Sequence, residues 1–168
     1  MEEIKVIYKW FWVWDFEKEE RWLNKMAAEG WVLDQVGFCR YTFRRCQPGE
    51  YAVRLEMHPH DPEYLQFMTD TGAEYVGRMV AWVYFRMRSE DGSFELFSDI
   101  DSKISHLDRI GRMLAILGTA NLIIGVINSL NQVSMGWINL LCATLLMYAL
   151  GRIHGKREEL KKERELRE

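Results

Sequence analysis

The chain has 168 residues, room for one ordinary domain and something smaller, and a formal net charge of -3, too slight to support a general argument for nucleic acid. Its three cysteines, Cys39, Cys46 and Cys142, are odd in number and lack a CxxC spacing, which speaks against a disulfide framework or a zinc site and suits a reducing cytosol. Mean hydropathy is slightly negative, yet the apolar residues are segregated, for residues 113–151 contain no Asp, Glu, Lys or Arg while both flanks are densely charged.

The first nine residues lack the basic start and apolar core of a cleavable signal peptide. Residues 4–14 are rich in branched and aromatic side chains and predict a strand. Asp15 reads as a helix N-cap, Glu17, Glu19 and Glu20 sit favourably near the helix start, and Gly30 ends the helix, whose apolar stripe is Leu23, Met26 and Ala27. Residues 31–38 resume strand character. The runs 39–46 and 51–57 flank Gln47-Pro48-Gly49-Glu50. A three-residue loop there would pair Phe43 with Val53, Tyr41 with Leu55 and Arg40 with Glu56, keeping apolar residues on one face and opposing unlike charges.

Asp61-Pro62-Glu63 is a helix start and Gly72 its stop. Residues 75–88 predict one long strand, turned by Asp91-Gly92 into a short partner at 94–97. This order predicts an α+β fold over residues 1–98, a ferredoxin-like βαββαβ sandwich with an added edge strand. Residues 99–112 form an amphipathic linker helix with Ile100, Ile104, Leu107 and Ile110 in its stripe, running on from Ser98 straight into the uncharged stretch.

That stretch holds two spans of membrane-crossing length, 113–131 and 135–151, joined by a short polar turn. Lys103, Arg109 and Arg112 precede the first span, Arg152, Lys156 and Arg157 follow the second, and the turn has no basic residue. The charge rule therefore predicts a multi-pass membrane protein with both termini cytoplasmic. Gly118, Asn121, Gly125, Asn128 and Asn139 are the expected packing residues of the hairpin, small groups allowing close approach and amides finding partners across helices. The tail, 152–168, alternates charge and reads as a solvated helix.

Strand alternation collects Arg40, Arg44, Arg54, Arg78 and Arg86 with Trp82 and Tyr84 on the sheet face that the helices leave open. Guanidinium groups among aromatic rings suit an anionic partner, a protein surface or anionic lipid headgroups. Nucleic acid is disfavoured, since the Lys/Arg-Gly-Phe/Tyr-Gly/Ala-Phe string of sheet-type RNA binders is missing. His58, His60 and Asp61 are read as a turn rather than a metal site, because Pro59 and Pro62 interrupt them and Asp61 has a capping role. No Ser/His/Asp or Cys/His arrangement and no glycine-rich phosphate loop is present, so neither catalytic residues nor a cofactor is expected.

The strings WFWVWDFEKEERWLNKMAAEGW, PGEYAVRLE, TGAEYVGRMVAWVYFRM and FELFSDIDSKI resemble the bacterial domain of unknown function 2812 family over residues 4–110. The resemblance implies membrane helices after the domain and a regulatory or envelope-stress setting beside PadR-type repressors, but no activity. The expected role is a non-enzymatic membrane-anchored sensor or adaptor whose cytoplasmic domain binds a partner. The alternative is a small oligomeric transporter or channel subunit.

Overall fold

The computed structural model describes residues 3–59, 61–91, 94, 96, 100–133 and 135–167. The chain divides into two compact units, residues 1–96 and 97–168. Among the described residues the first is an α+β unit of six strands and two helices: β1 Ile4–Tyr8, α1 Phe16–Ala28, β2 Trp31–Gly37, β3 Arg40–Arg45, β4 Tyr51–Met57, α2 Pro62–Asp70, β5 Glu74–Met79 and β6 Trp82–Arg88. The strands form two antiparallel three-stranded sheets, ordered β1-β3-β2 and β4-β6-β5, in place of the single ferredoxin-like sheet.

Both sheets are built from the same βαββ motif, and over much of it the copies are offset by 42 residues. Gly30 and Gly72, with φ +84° and +91°, reverse the chain after α1 and α2. Four residues further on, a bulge falls at Asp34 in β2 and at Val76 in β5. The two-residue turns 38–39 and 80–81 follow, each with one non-glycine residue at positive φ, Cys39 (54°) and Val80 (57°). Trp22 of α1 then packs edge-on to Phe43 of β3, centroids 5.6 Å apart, as Tyr64 of α2 packs on Phe85 of β6 at 6.1 Å.

Two expectations about pairing are corrected. The runs 39–46 and 51–57 do not form a hairpin, because β3 has both edges occupied, by β1 and β2. The Pro48-Gly49 loop docks instead on the end of α1, the Gly49 N–H donating to Ala27 O at 3.0 Å. The long strand 75–88 is broken at Val80-Ala81 into β5 and β6, which pair with each other. Nothing in Met-Val-Ala-Trp signals a turn, and the left-handed backbone at a β-branched residue is strained. The turn is braced by Arg78 Nε donating to Val80 O (2.8 Å) and by His58 N–H donating to Ala81 O (3.0 Å). Val80 is exposed, so Val80→Asn, which tolerates this backbone, is expected to stabilise the unit by about 1 kcal/mol, read as a higher denaturation midpoint.

The first strand stops at Tyr8, and residues 13–15 form a 3-10 turn. Asp15 stands at the α1 N-cap without a side-chain capping bond, paired instead with Lys18 at 2.7 Å. Asp61 does cap α2, accepting from the N–H groups of Glu63 and Tyr64. The expected strand at 94–97 lies largely outside the described residues. Phe94 is buried, outside any strand, against Met68, Val83 and Phe85.

The second unit is an antiparallel helical hairpin, α3 Ile100–Leu130 and α4 Gly136–Arg167. Its contacts keep one register along the whole length: Asp101 with Arg164 (2.8 Å), Asp108 with Arg157 (2.6 Å), Gly118 with Met147, Gly125 with Leu140, and Ser129 with Gly136. From Asp101 to Ser129 that is about 42 Å of helix. The tail is the continuation of α4, and its Arg157 and Arg164 pair with Asp108 and Asp101 of the linker helix.

Candidate functional site

The centre of the α+β unit is a buried carboxylate. Glu19 occupies the apolar stripe of α1, four residues before Leu23, and is itself buried. Its Oε1 accepts hydrogen bonds from Tyr41 Oη of β3 (2.8 Å) and Tyr84 Oη of β6 (2.7 Å), so one side chain joins helix and both sheets. Burial raises the Glu19 pKa above its ordinary 4.5 although the two phenols oppose the shift. Burial and the neighbouring carboxylate push both phenols upward in turn. The cluster has the chemistry of a structural latch that holds a proton more tightly than an exposed glutamate would.

One edge of the second sheet is closed by α1. Asn24 mimics a strand partner, its Nδ2 donating to Val53 O (2.8 Å) and its Oδ1 accepting from Val53 N–H (2.9 Å). Beside it the Leu55 N–H donates to Glu20 Oε2 at 3.3 Å. Glu20 also lies 3.6 Å from Arg54 Nη1, and its pKa is raised because burial outweighs that charge.

The arginine face divides. Arg44 and Arg86 converge on the ring of Tyr51, with guanidinium carbons 5.5 and 5.7 Å from its centroid, and Arg88 joins at 5.9 Å. Asp34 lies 3.5 Å from Arg44 and 3.4 Å from Arg86, and Glu74 lies 2.7 Å from Arg86. Arg86 also donates to Leu33 O of β2 at 2.8 Å. This knot fastens one sheet to the other, with two acids set against the guanidinium groups. Arg40 is exposed at the end of β3, Arg78 braces the Val80 turn, and Arg54 sits by α1.

Trp82 and Tyr84 are not on an open face. Tyr84 is 0 % exposed and bound to Glu19, and Trp82, 8 % exposed, packs on Phe16 at 5.4 Å. The second sheet is covered on both sides, by α2 over Val83 and Phe85 and by α1 over Trp82 and Tyr84. The aromatic surface that is open lies elsewhere: Tyr8, Trp10, Trp12 and Phe38 are all exposed. His58 stacks on Tyr64 at 3.9 Å, while His60 lies outside the described residues.

In the hairpin, Gly118 and Gly125 face α4. A Cβ on Gly118 would lie 2.9 Å from Met147 Cε, and one on Gly125 would lie 2.7 Å from Leu140 Cδ2 and 3.0 Å from the Leu140 backbone nitrogen. Asn121 turns back on its own helix, Nδ2 donating to Leu117 O at 2.9 Å, rather than reaching across. Asn128 and Asn139 are half-buried. Both helices are long and apolar enough to cross a membrane, and only 22 % of each apolar window is buried within the structure.

Glu19, Tyr51, Asp34 and Glu74 escape the sequence reading. Glu19 alone left a signal there, an acid on the face of Leu23, Met26 and Ala27. No curated protein and no solved structure matches the chain. The chain does match, over residues 15–119, the family described as Protein of unknown function (DUF2812). With more than half its length so matched, running from α1 through β6 into α3, the chain belongs to that family.

Proposed function

We propose that this chain is a non-enzymatic, membrane-anchored sensor or adaptor: the hairpin crosses the bilayer, both termini lie on the cytoplasmic side, and the α+β unit recognises a partner there. The observation that carries the reading is a band of exposed apolar side chains on α3 and α4, among them Ile116, Ile123, Ile127, Leu130, Trp137 and Leu141. Water would penalise this band at about 25 cal/mol per Å2 of apolar area, whereas lipid satisfies it. The basic residues all fall at the open end of the hairpin, which supports the orientation.

Beyond the apolar stretch, α3 and α4 continue as an ion-paired stalk, Asp108 with Arg157 and Asp101 with Arg164. The resemblance noted in the sequence supports a regulatory role. The arginine knot favours recognition through other surfaces, because its charges already serve the join between the sheets. The full chain is expected to stay with the membrane pellet through carbonate at pH about 11 and to leave it only with detergent. Release by carbonate alone would remove the anchoring and the role built on it.

A further inference from the structure

The sheet edges of the α+β unit are unequally protected. The outer edge of β4 is closed by Asn24 and Glu20. The edge strands β2 and β5 face each other, closely enough that a Cβ on Gly77 would lie 3.1 Å from Val36 Cγ1. The edge strand β1 pairs with β3 and, among the described residues, with nothing on its other side. Lys9 N–H donates to Cys39 O and Arg45 N–H donates to Glu3 O, so the odd-numbered residues are spent on β3. Antiparallel alternation then turns the N–H and C=O groups of Ile4, Val6 and Tyr8 outward.

The internal duplication sharpens the contrast. The counterparts of Glu20 and Asn24, 42 residues on, are Pro62 and Gln66. The proline ring carries no hydrogen-bonding group to offer a strand, and Gln66 donates to Asp70 within α2 (2.8 Å). The second helix therefore lacks the closing pair that the first carries. Nor does β1 carry a proline or a bulge: the residues that turn their backbone groups outward are Ile4 (65 % exposed), Val6 (41 %) and Tyr8 (74 %), while the strand's one charge, Lys5, lies on the opposite face over the Trp31 ring.

We propose that β1 pairs antiparallel with β1 of a second copy, about a two-fold axis at Val6, joining two β1-β3-β2 sheets into one of six strands. In that register Val6 meets Val6 and Ile4 meets Tyr8, so the outward N–H and C=O groups face one another as hydrogen-bonded pairs. Lys5 falls opposite Ile7, avoiding a like-charge contact, and Glu3 falls opposite Lys9, which adds an attraction at each end. Exposed Trp10 and Phe38, 5.8 Å apart, stand beside the Tyr8 end and extend the apolar surface. The pairing involves residues 3–9 alone and stands whether or not the hairpin lies in lipid.

The test uses the full chain in mild detergent, with Cys39, Cys46 and Cys142 replaced by serine. Opposed residues in such a pair have Cα atoms about 5.5 Å apart, within disulfide reach. Val6→Cys is therefore expected to give a disulfide-linked dimer on mild oxidation. Ile4→Cys alone, about 13 Å from its own copy, should give at least tenfold less, and Ile4→Cys mixed with Tyr8→Cys should crosslink again. Light scattering should show twice the 20.0 kDa chain mass, falling to one chain for Val6→Lys with unchanged tryptophan emission. A single-chain mass for the unsubstituted protein, failure of both the Val6 and the Ile4–Tyr8 crosslinks, or equal yields at Ile4 and Val6 would each overturn the proposal.

Discussion

Glu19→Ala is expected to lower the stability of the α+β unit by about 3 to 5 kcal/mol, enough to unfold a marginal domain. The alanine leaves the hydroxyls of Tyr41 and Tyr84 buried without their shared acceptor and opens a cavity beneath α1. Each lost acceptor costs about 1 to 3 kcal/mol. Glu19→Gln keeps an oxygen for both phenols and should cost less than half as much. Denaturant titration followed by tryptophan emission reads this unit, since six of the seven tryptophans precede residue 97.

The same pair of proteins tests the ionisation. The native Glu19 pKa lies above the ordinary 4.5, so the folded state binds this proton more tightly than the unfolded chain. The stabilisation is complete below about 4.5 and declines as pH rises toward the native value, after which it is constant. Glu20, raised by burial as well, acts in the same sense. Subtracting the Glu19→Gln curve isolates residue 19, and the difference should move against the unsubstituted protein as pH increases from about 4.5. A difference that is flat with pH would mean that Glu19 is as well solvated as an exposed carboxylate.

Gly125→Leu is expected to disrupt the hairpin by about 3 kcal/mol, while Gly118→Ala should be close to neutral. Both glycines face α4, but their neighbours differ in what can yield. At Gly118 the obstacle is the free end of Met147, and a thioether moves readily. At Gly125 the obstacles include the Leu140 backbone nitrogen, so the helices themselves must part. Ala143 lies buried in the seam and reports such parting. In a background without native cysteines, Ala143→Cys should react with a thiol reagent about 10 to 100 times faster once Gly125→Leu is added, and at an unchanged rate with Gly118→Ala. Equal rates in all three would show that the seam does not depend on this glycine.

The helices and the α+β character are legible from caps, stops and periodicity, because Asp61-Pro62, Gly30 and Gly72 act locally. Strand pairing is not local. Hydrophobic alternation equally permits β3 to pair with β4 or with β1 and β2, and only the occupied edges decide. The break at Val80 is invisible because valine favours strands, and the brace that holds its strained backbone comes from His58 and Arg78. The duplication hides for a related reason: its copies share few residues, such as Leu23 with Leu65, Met26 with Met68, Gly30 with Gly72, and Phe43-Arg44 with Phe85-Arg86. The arginine face is misread because alternation assigns one open side to the second sheet, whereas α1 covers that side and takes Trp82 and Tyr84 inward.

Labelling from the two sides of the membrane tests the anchored hairpin most directly. In a cysteine-free background, Val133→Cys in the turn between α3 and α4 and Glu159→Cys in the tail of α4 report the two ends of the unit. An impermeant maleimide should label Val133→Cys in intact cells and Glu159→Cys only after the membrane is opened. Labelling of both positions from the same side, or of neither until the cells are broken, would show that these helices do not carry the chain across a bilayer.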